Sequence, residues 1–516
     1  MTDLQLKPGT AFQDVYDRAR AIAPEAFDAD GIRNLVAGEW IATGDVREHR
    51  SPVDQSVIPG PPLVDVETAH RAVEFTRTEH EAWQDVDLGE RRRIVTEAVD
   101  LLAEHRDTLA LLIVWEIGKP WRLATTDVDR ALEGVRWYLG EIERQMDGRL
   151  PLEGPVSNIA SWNYPMSVQV HAELVQLLAG NAVVAKTPTQ GGFLTLTLAH
   201  ALMRRAGLPV SLISGAGGTV GDVLVAAPGI GAVSFVGGRA NGREVAIRLE
   251  GSDRRHMLEE EGLNTWGVWD FSDWDTLAAH IRKGFEYAKQ RCTAYPRFVV
   301  QRSSFARFLE AYLPVVESIR FGHPLAVESP DDDLPELDFG PLISARKAAD
   351  VTGRFDEAVT RGGIPLVRRS VAEGRFLPGQ DTSAYVAPAT VLEPPASWSM
   401  RHSEPFGPLD SIVLVDTESQ LIAEMNASNG ALVASIATDD EGLAAQVAED
   451  LQAFKVGVNK PRSRGDREEV FGGLGASWRG AFVGGDLLVE AVTRRADGEP
   501  ERLFGNFPEY VRLPPT

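Results

Sequence analysis

A chain of 516 residues is too long for one ordinary core, so two or three domains are expected. Hydrophobic residues make up 43% and charged residues 25%, the balance of a water-soluble globular protein. The formal net charge of −23 opposes binding to nucleic acid and to anionic membranes, and neither is expected as a partner. No apolar run reaches the ~18 residues of a membrane span. The first thirty residues carry acids and no apolar block, which leaves the cytoplasm as the expected compartment. A single cysteine, Cys292, excludes an internal disulfide and a multi-cysteine metal site. No histidine-rich or acidic cluster has metal-ligand spacing, and no metal is expected.

Residues 1–35 read as a polar helix and linker. From Asp65 to about Met146 the apolar positions recur every three to four residues (Val66, Ala69, Val73; Ile94, Ala98, Leu102), which predicts helices with one buried face. After Gly154 the period shortens. Ser157–Ala160, Ala182–Ala185, Ser211–Ser214 and Ala232–Val236 read as strands, separated by helical segments such as Phe193–Arg205. This alternation predicts a parallel, doubly wound sheet that binds ligands at the carboxyl ends of its strands. From about Gly262 a second α/β block follows, with a helix over Ala279–Ala288, a strand over Arg297–Val300 and further alternation to about Asn459. The acidic, proline-containing segment Pro330–Leu337 reads as a surface loop.

Few residues stand out chemically. Cys292 follows Lys289, Gln290 and Arg291; a lone cysteine is more often an inert buried side chain, but neighbouring cations lower a thiol pKa. Glu259, Glu260 and Glu261 follow Met257-Leu258. Three adjacent carboxylates are usually a solvated patch, and on a strand at most two of them face one cleft. Asn163, in Ser161-Trp162-Asn163-Tyr164-Pro165, is most simply a turn residue, yet its amide can also donate to an oxyanion. The glycines at 215, 217 and 221 miss the dinucleotide spacing by one residue, and Gly237-Gly238 with Gly242 marks a second strand-to-helix turn.

Together these segments, in chain order over roughly Ile32–Arg495, resemble the aldehyde dehydrogenase superfamily. The matching elements are Glu116-Ile117-Gly118-Lys119-Pro120, Ile159–Pro165, Gly180–Lys186, Phe235–Gly238 with Gly242, Leu258–Asn264, Gln290–Ala294, Gly340–Ile343, Glu404–Pro408 and Phe471–Gly473. The resemblance implies two doubly wound α/β domains, a Rossmann-type cofactor domain and a catalytic domain, plus a small oligomerisation element. By it, 1–145 and 153–261 form the NAD(P)-binding domain, 262–459 the catalytic domain, and 146–152 with 480–516 a reduced oligomerisation element and tail.

It also implies roles. Cys292 attacks the aldehyde, Asn163 and the Cys292 backbone N–H hold the oxyanion, and Glu259 activates the water that hydrolyses the thioester. Trp162, Gly237 and Gly238 line the cleft for NAD or NADP, Lys186 binds the adenosine ribose, Glu404 the nicotinamide ribose, and Phe406 packs near the ring. In NAD-preferring relatives a glutamate stands three residues beyond that lysine; here it is Thr189, which predicts that NADP is accepted at least as readily as most NAD-selective relatives accept it. Arg291 and His171 are candidates for the substrate mouth, where either could meet an acidic group. The rival readings are acyl transfer to coenzyme A, which the retained Glu259 opposes, and a silent binding protein. The family's Leu and Gly after the active-site glutamate are Glu260 and Glu261, and the segment between Met146 and Asn158 is short. The expected assembly is a homo-oligomer, with a dimer favoured over a tetramer, acting on a small-molecule aldehyde.

Overall fold

The computed structural model describes residues 4–29, 31–428, 430–463 and 467–507. The helical stretch is present as Val66–Trp83, Leu88–Glu104, Arg106–Ile117 and Trp121–Gln145. Asp65 and Asp87 cap the first two by accepting from Thr68 N and Gly89 N. Gly118, at φ 72°, ends the third, a conformation that glycine adopts without a Cβ clash.

Two mixed sheets dominate. The first has nine strands, and its five central strands are parallel in the order Arg255–Glu259, Ala232–Val236, Val156–Ile159, Val183–Lys186, Val210–Ile213. The chain starts in the middle strand, runs outward to one side and then returns to the other. A switch point therefore lies between Val156–Ile159 and Ala232–Val236, where ligands enter doubly wound sheets. The loops leaving these strands carry Trp162-Asn163 and Gly237-Gly238.

The second sheet has seven strands in the order Ile364–Arg368, Ala389–Leu392, Leu409–Val415, Arg297–Gln301, Thr265–Val268, Ala431–Ala437, Ala453–Val458; all run parallel except the first. The chain passes from one sheet to the other between Glu259 and Thr265. The carboxyl ends of the first sheet thus meet the amino ends of the second across the segment that holds Glu259.

Some positions differ from the sequence reading. Trp478–Ala481 and Gly505–Asn506 extend the first sheet, the former pairing antiparallel with Arg255–Glu259. A boundary drawn at residue 480 cuts through that strand. The rest of the expected interface element survives as a two-stranded ribbon, Arg149–Pro151 with Thr493–Arg495. Residues 508–516 of the expected tail lie outside the described residues. At the other edge, Asn34–Val36, which begins at the end of the expected linker, and Glu39–Ile41 add two further strands. Among the described residues no helix is long and apolar enough to cross a membrane.

Candidate active site

The segment before the cysteine does not continue as a helix to Ala288. The helix runs over Trp274–Gly284, and Tyr287, Ala288 and Lys289 then take left-handed backbone angles (φ 58°, 52° and 58°). Such angles cost non-glycine residues of order 1–3 kcal/mol each and persist only where the surroundings impose them. Here they are imposed from three sides. Tyr287 N donates to Asp338 O at 2.9 Å, Gln290 N to Tyr287 O at 3.0 Å, and Lys289 Nζ lies 2.7 Å from Asp410 and donates to Tyr295 O at 3.0 Å. Lys289 and Asp410 are both buried. The sequence reading placed the Lys289 charge beside the thiol; it is instead engaged by Asp410, because an unpaired ammonium at this depth is costly.

The loop beyond the turn is fixed from both domains. Gln290 donates from Nε2 to Pro341 O at 3.2 Å and accepts from Ile343 N at 2.9 Å, which gives the Gly340–Ile343 motif a structural task. Asn264 Nδ2 donates to Cys292 O at 2.7 Å and to Ala294 O at 2.8 Å, while its Oδ1 accepts from Val433 N at 3.2 Å. Ser161 Oγ donates to Asn163 Oδ1 at 2.6 Å, which turns the amide nitrogen toward the cysteine loop; Nδ2 donates to Gln290 O at 3.0 Å. The Asn163 amide is therefore held two residues from Cys292. Glu259 ends its strand in a buried position, with Gly237 N donating to its carbonyl at 3.1 Å. It is five residues from Asn264, on the segment tethered to the cysteine loop.

Further motifs converge on the same framework. The buried Glu116 carboxylate accepts from Leu194 N (2.7 Å), Thr195 N (2.9 Å) and Thr195 Oγ1 (2.7 Å), capping the helix Phe193–Arg205; burial pushes its pKa up to about 7. Lys119 Nζ sits 3.0 Å from Asp127 and 3.7 Å from the centre of the Tyr164 ring, and burial draws its pKa down to about 8. Asp127 also accepts from Ser167 N at 2.9 Å.

The cofactor residues can be tested for fit. Both Glu404 carboxylate oxygens are buried with no hydrogen-bond partner among the described residues, as expected of a group that waits for sugar hydroxyls. Burial raises its pKa well above the ordinary range, and the Glu261 charge adds to this. Trp162 and Phe406 meet edge to face at 5.9 Å, with Phe406 held at φ 49°. A Cβ at Gly237 would lie 2.6 Å from the Phe235 ring, whereas one at Gly238, which precedes the helix Arg239–Leu249, would meet only Glu261 Oε2, at 3.9 Å. That arrangement leaves helix-terminal N–H groups facing the switch point. Lys186 is buried, with Nζ donating to Thr187 O at 3.0 Å. Burial draws its pKa down to about 8, and the charge of Arg47 acts in the same direction. Thr189 is exposed on the following loop. These residues fit a dinucleotide.

The first extra acid after Glu259 is matched by a cation that the sequence reading missed. Glu260 is buried; Arg479 Nε lies 3.1 Å from its carboxylate, on the strand paired with Arg255–Glu259. A Cβ at Gly242 would lie 2.5 Å from Glu260 Cγ, so Glu260 fills the space that the glycine leaves. Arg239 Nη2 donates to Glu261 O at 3.3 Å. Arg479 was legible only as a residue after Phe471–Gly473; nothing in its local sequence signals a partner more than two hundred residues away.

The family model for the aldehyde dehydrogenase family matches residues 40–496. The chain belongs to the aldehyde dehydrogenase family. This dehydrogenase is also similar to the NADP-dependent glyceraldehyde-3-phosphate dehydrogenase of Bacillus halodurans C-125, solved with NADP, at 27% identity and TM-score 0.80 over 90% of this chain and 98% of that one. The betaine aldehyde dehydrogenase of Staphylococcus aureus, solved with NAD+, shares its fold at 24% identity and TM-score 0.82 over 95% of this chain and 99% of that one.

Replacing Arg479 with leucine leaves the Glu260 carboxylate of this dehydrogenase buried without its cation. The expected cost is about 1–3 kcal/mol, read as a lower urea midpoint, with part of it restored in the Glu260→Leu, Arg479→Leu double variant. An unchanged midpoint in the single variant would show that Arg479 does not support Glu260.

Proposed function

We propose that the protein oxidises an aldehyde to a carboxylic acid with NAD or NADP, through a thioester on Cys292. The observation that carries this reading is the Asn163 amide fixed against the carbonyl of Gln290, beside the sole cysteine. The Cys292 thiolate adds to the aldehyde carbon. The resulting oxyanion is stabilised by the second Asn163 Nδ2 hydrogen and the Cys292 backbone N–H; each such donor contributes about 3 kcal/mol to a tetrahedral transition state. NAD(P)+ supplies the hydride acceptor, as the NADP and NAD+ complexes of the two relatives accord with. Glu259 then takes a proton from the water that attacks the thioester, which releases the acid and returns the thiolate. Trp162 and Phe406 flank the nicotinamide, Glu404 accepts from its ribose, Gly237 and Gly238 admit the pyrophosphate, and Lys186 meets the adenosine ribose. The pairing of Glu260 with Arg479 supports this reading over a silent protein, because the first of the two added acids has a cation in place.

Glu259→Gln is expected to give one equivalent of NAD(P)H in a burst, with an intact-mass increase on Cys292, followed by turnover slowed about 10²–10⁴-fold. The same behaviour in Glu261→Gln, and not in Glu259→Gln, would assign the base to the wrong residue.

Thr189 stands where a carboxylate would repel a 2′-phosphate, and the Arg47 charge acts on the adjoining Lys186. NADP is therefore accepted. Thr189→Glu is expected to weaken NADP binding roughly tenfold, with a smaller effect on NAD, in fluorescence titrations of both nucleotides. An NADP dissociation constant unchanged by the substitution contradicts this role for Thr189.

A further inference from the structure

Glu260 and Glu261 stand where the family pattern has Leu and Gly, and the structure treats the two acids differently. Glu260 is buried, fills the space that Gly242 leaves and has Arg479 at 3.1 Å. Glu261 is half-buried, and its carboxylate has no cation within 4 Å among the described residues. Arg239 is engaged by the Glu261 backbone instead: Nη2 donates to the carbonyl oxygen at 3.3 Å, and Nε is buried with no hydrogen-bond partner among the described residues.

The Glu261 carboxylate lies over the turn between the strand Ala232–Val236 and the helix Arg239–Leu249. A Cβ built on Gly238 would meet Glu261 Oε2 at 3.9 Å, and nothing else within 4 Å beyond its chain neighbours. Gly238 is the N-cap of that 11-residue helix, and no side chain caps it. The first helical hydrogen bond runs from Gly242 N to Gly238 O at 3.0 Å, so the N–H groups before Gly242 have no acceptor within the helix. Such N–H groups, together with the helix dipole, favour an anion. Glu404 borders the same cleft. It is 5% exposed with both carboxylate oxygens unpartnered among the described residues, and Phe406, two residues on, meets Trp162 of the switch-point loop at 5.9 Å. The cleft that fits a dinucleotide thus holds an acid of the chain's own at its phosphate end.

We propose that Glu261 sets the affinity for the cofactor: in the free enzyme its carboxylate takes the place of a dinucleotide phosphate at the start of the helix Arg239–Leu249, and the pyrophosphate has to displace it. Two anions repel each other over one set of donors. The contact therefore weakens the hold on any nucleotide that carries a pyrophosphate, and it speeds the departure of the reduced cofactor. Faster departure raises turnover where release of product, rather than chemistry, limits the rate. The proposal rests on the reading of Gly237 and Gly238 as the pyrophosphate turn, and the test separates the two.

Glu261→Gln keeps the shape of the side chain and removes its charge. In calorimetric titrations of the full chain, the dissociation constants of NAD, NADP and ADP-ribose are expected to fall about tenfold in this variant. Adenosine, measured as a competitor of ADP-ribose, is expected to keep its inhibition constant, because it has no phosphate. Stopped-flow release of NADPH is expected to slow by a similar factor. Glu261→Gly, which restores the residue of the family pattern, is expected to behave alike, and far-UV circular dichroism checks that both variants fold. ADP-ribose bound no tighter by either folded variant, or a gain equally large for adenosine, would overturn the competition and leave the cofactor site intact. Failure of NAD, NADP and ADP-ribose to bind the parent and both variants would overturn the cofactor site together with the proposal.

Discussion

The buried ion pair between Lys289 and Asp410 is the contact on which the site depends. It joins the residue three before the nucleophile to the strand Leu409–Val415 of the second sheet, and it holds the end of a turn with three successive left-handed, non-glycine residues. A buried pair of this kind is weak as a source of net stability, because desolvation offsets its Coulomb gain. Its value is geometric. The turn has one arrangement in which the Lys289 ammonium meets both Asp410 and the Tyr295 carbonyl, and that arrangement hands the chain to Gln290 and Cys292 in a fixed direction. Gln290, Asn264 and Asn163 then hold the loop through side-chain amides, each of which can donate and accept at once. Strain at the turn and amide clamps after it place a thiol between two domains without any covalent link.

The acids around the nicotinamide side follow a related logic. Glu259, Glu260 and Glu404 are buried in one region, and Glu261 is beside them. Such crowding is tolerable where each extra charge has a local cation or is held protonated. Arg479 serves Glu260, and Glu404 has its pKa driven upward by burial.

The sequence disclosed the parts that short periods write. Helices of the first domain, the four parallel strands and the helix Phe193–Arg205 could be read from spacing, because one buried face repeats every two or three to four residues. The motif order pointed to Cys292, Asn163 and Glu259 by resemblance. Their supports were only partly legible: Asn264 closes the Leu258–Asn264 motif, whereas Asp410 acts on a partner far away in the chain and looks like an ordinary polar residue locally. The end of the helix before the cysteine was misread for the same reason: helix propensity favours continuation through Ala288, and the pull of Asp410 on Lys289 overrides it. Peripheral strands such as Trp478–Ala481, short, with glycine inside and flanked on the outer side only by the two-residue strand Gly505–Asn506, carry too little pattern to announce the sheet they join.

The most direct test of this account is Asp410→Asn, followed by the rate of Cys292 alkylation and by aldehyde turnover, with cofactor titration as a control. Only one thiol reports, so the labelling rate reads the nucleophile alone. If the ion pair sets the turn, far-UV circular dichroism and cofactor affinity stay close to those of the parent, while turnover falls about a hundredfold, the scale expected of a nucleophile displaced by roughly 1 Å, and the alkylation rate changes with it. Parent-like turnover and alkylation in Asp410→Asn would contradict the claim that this pair positions Cys292.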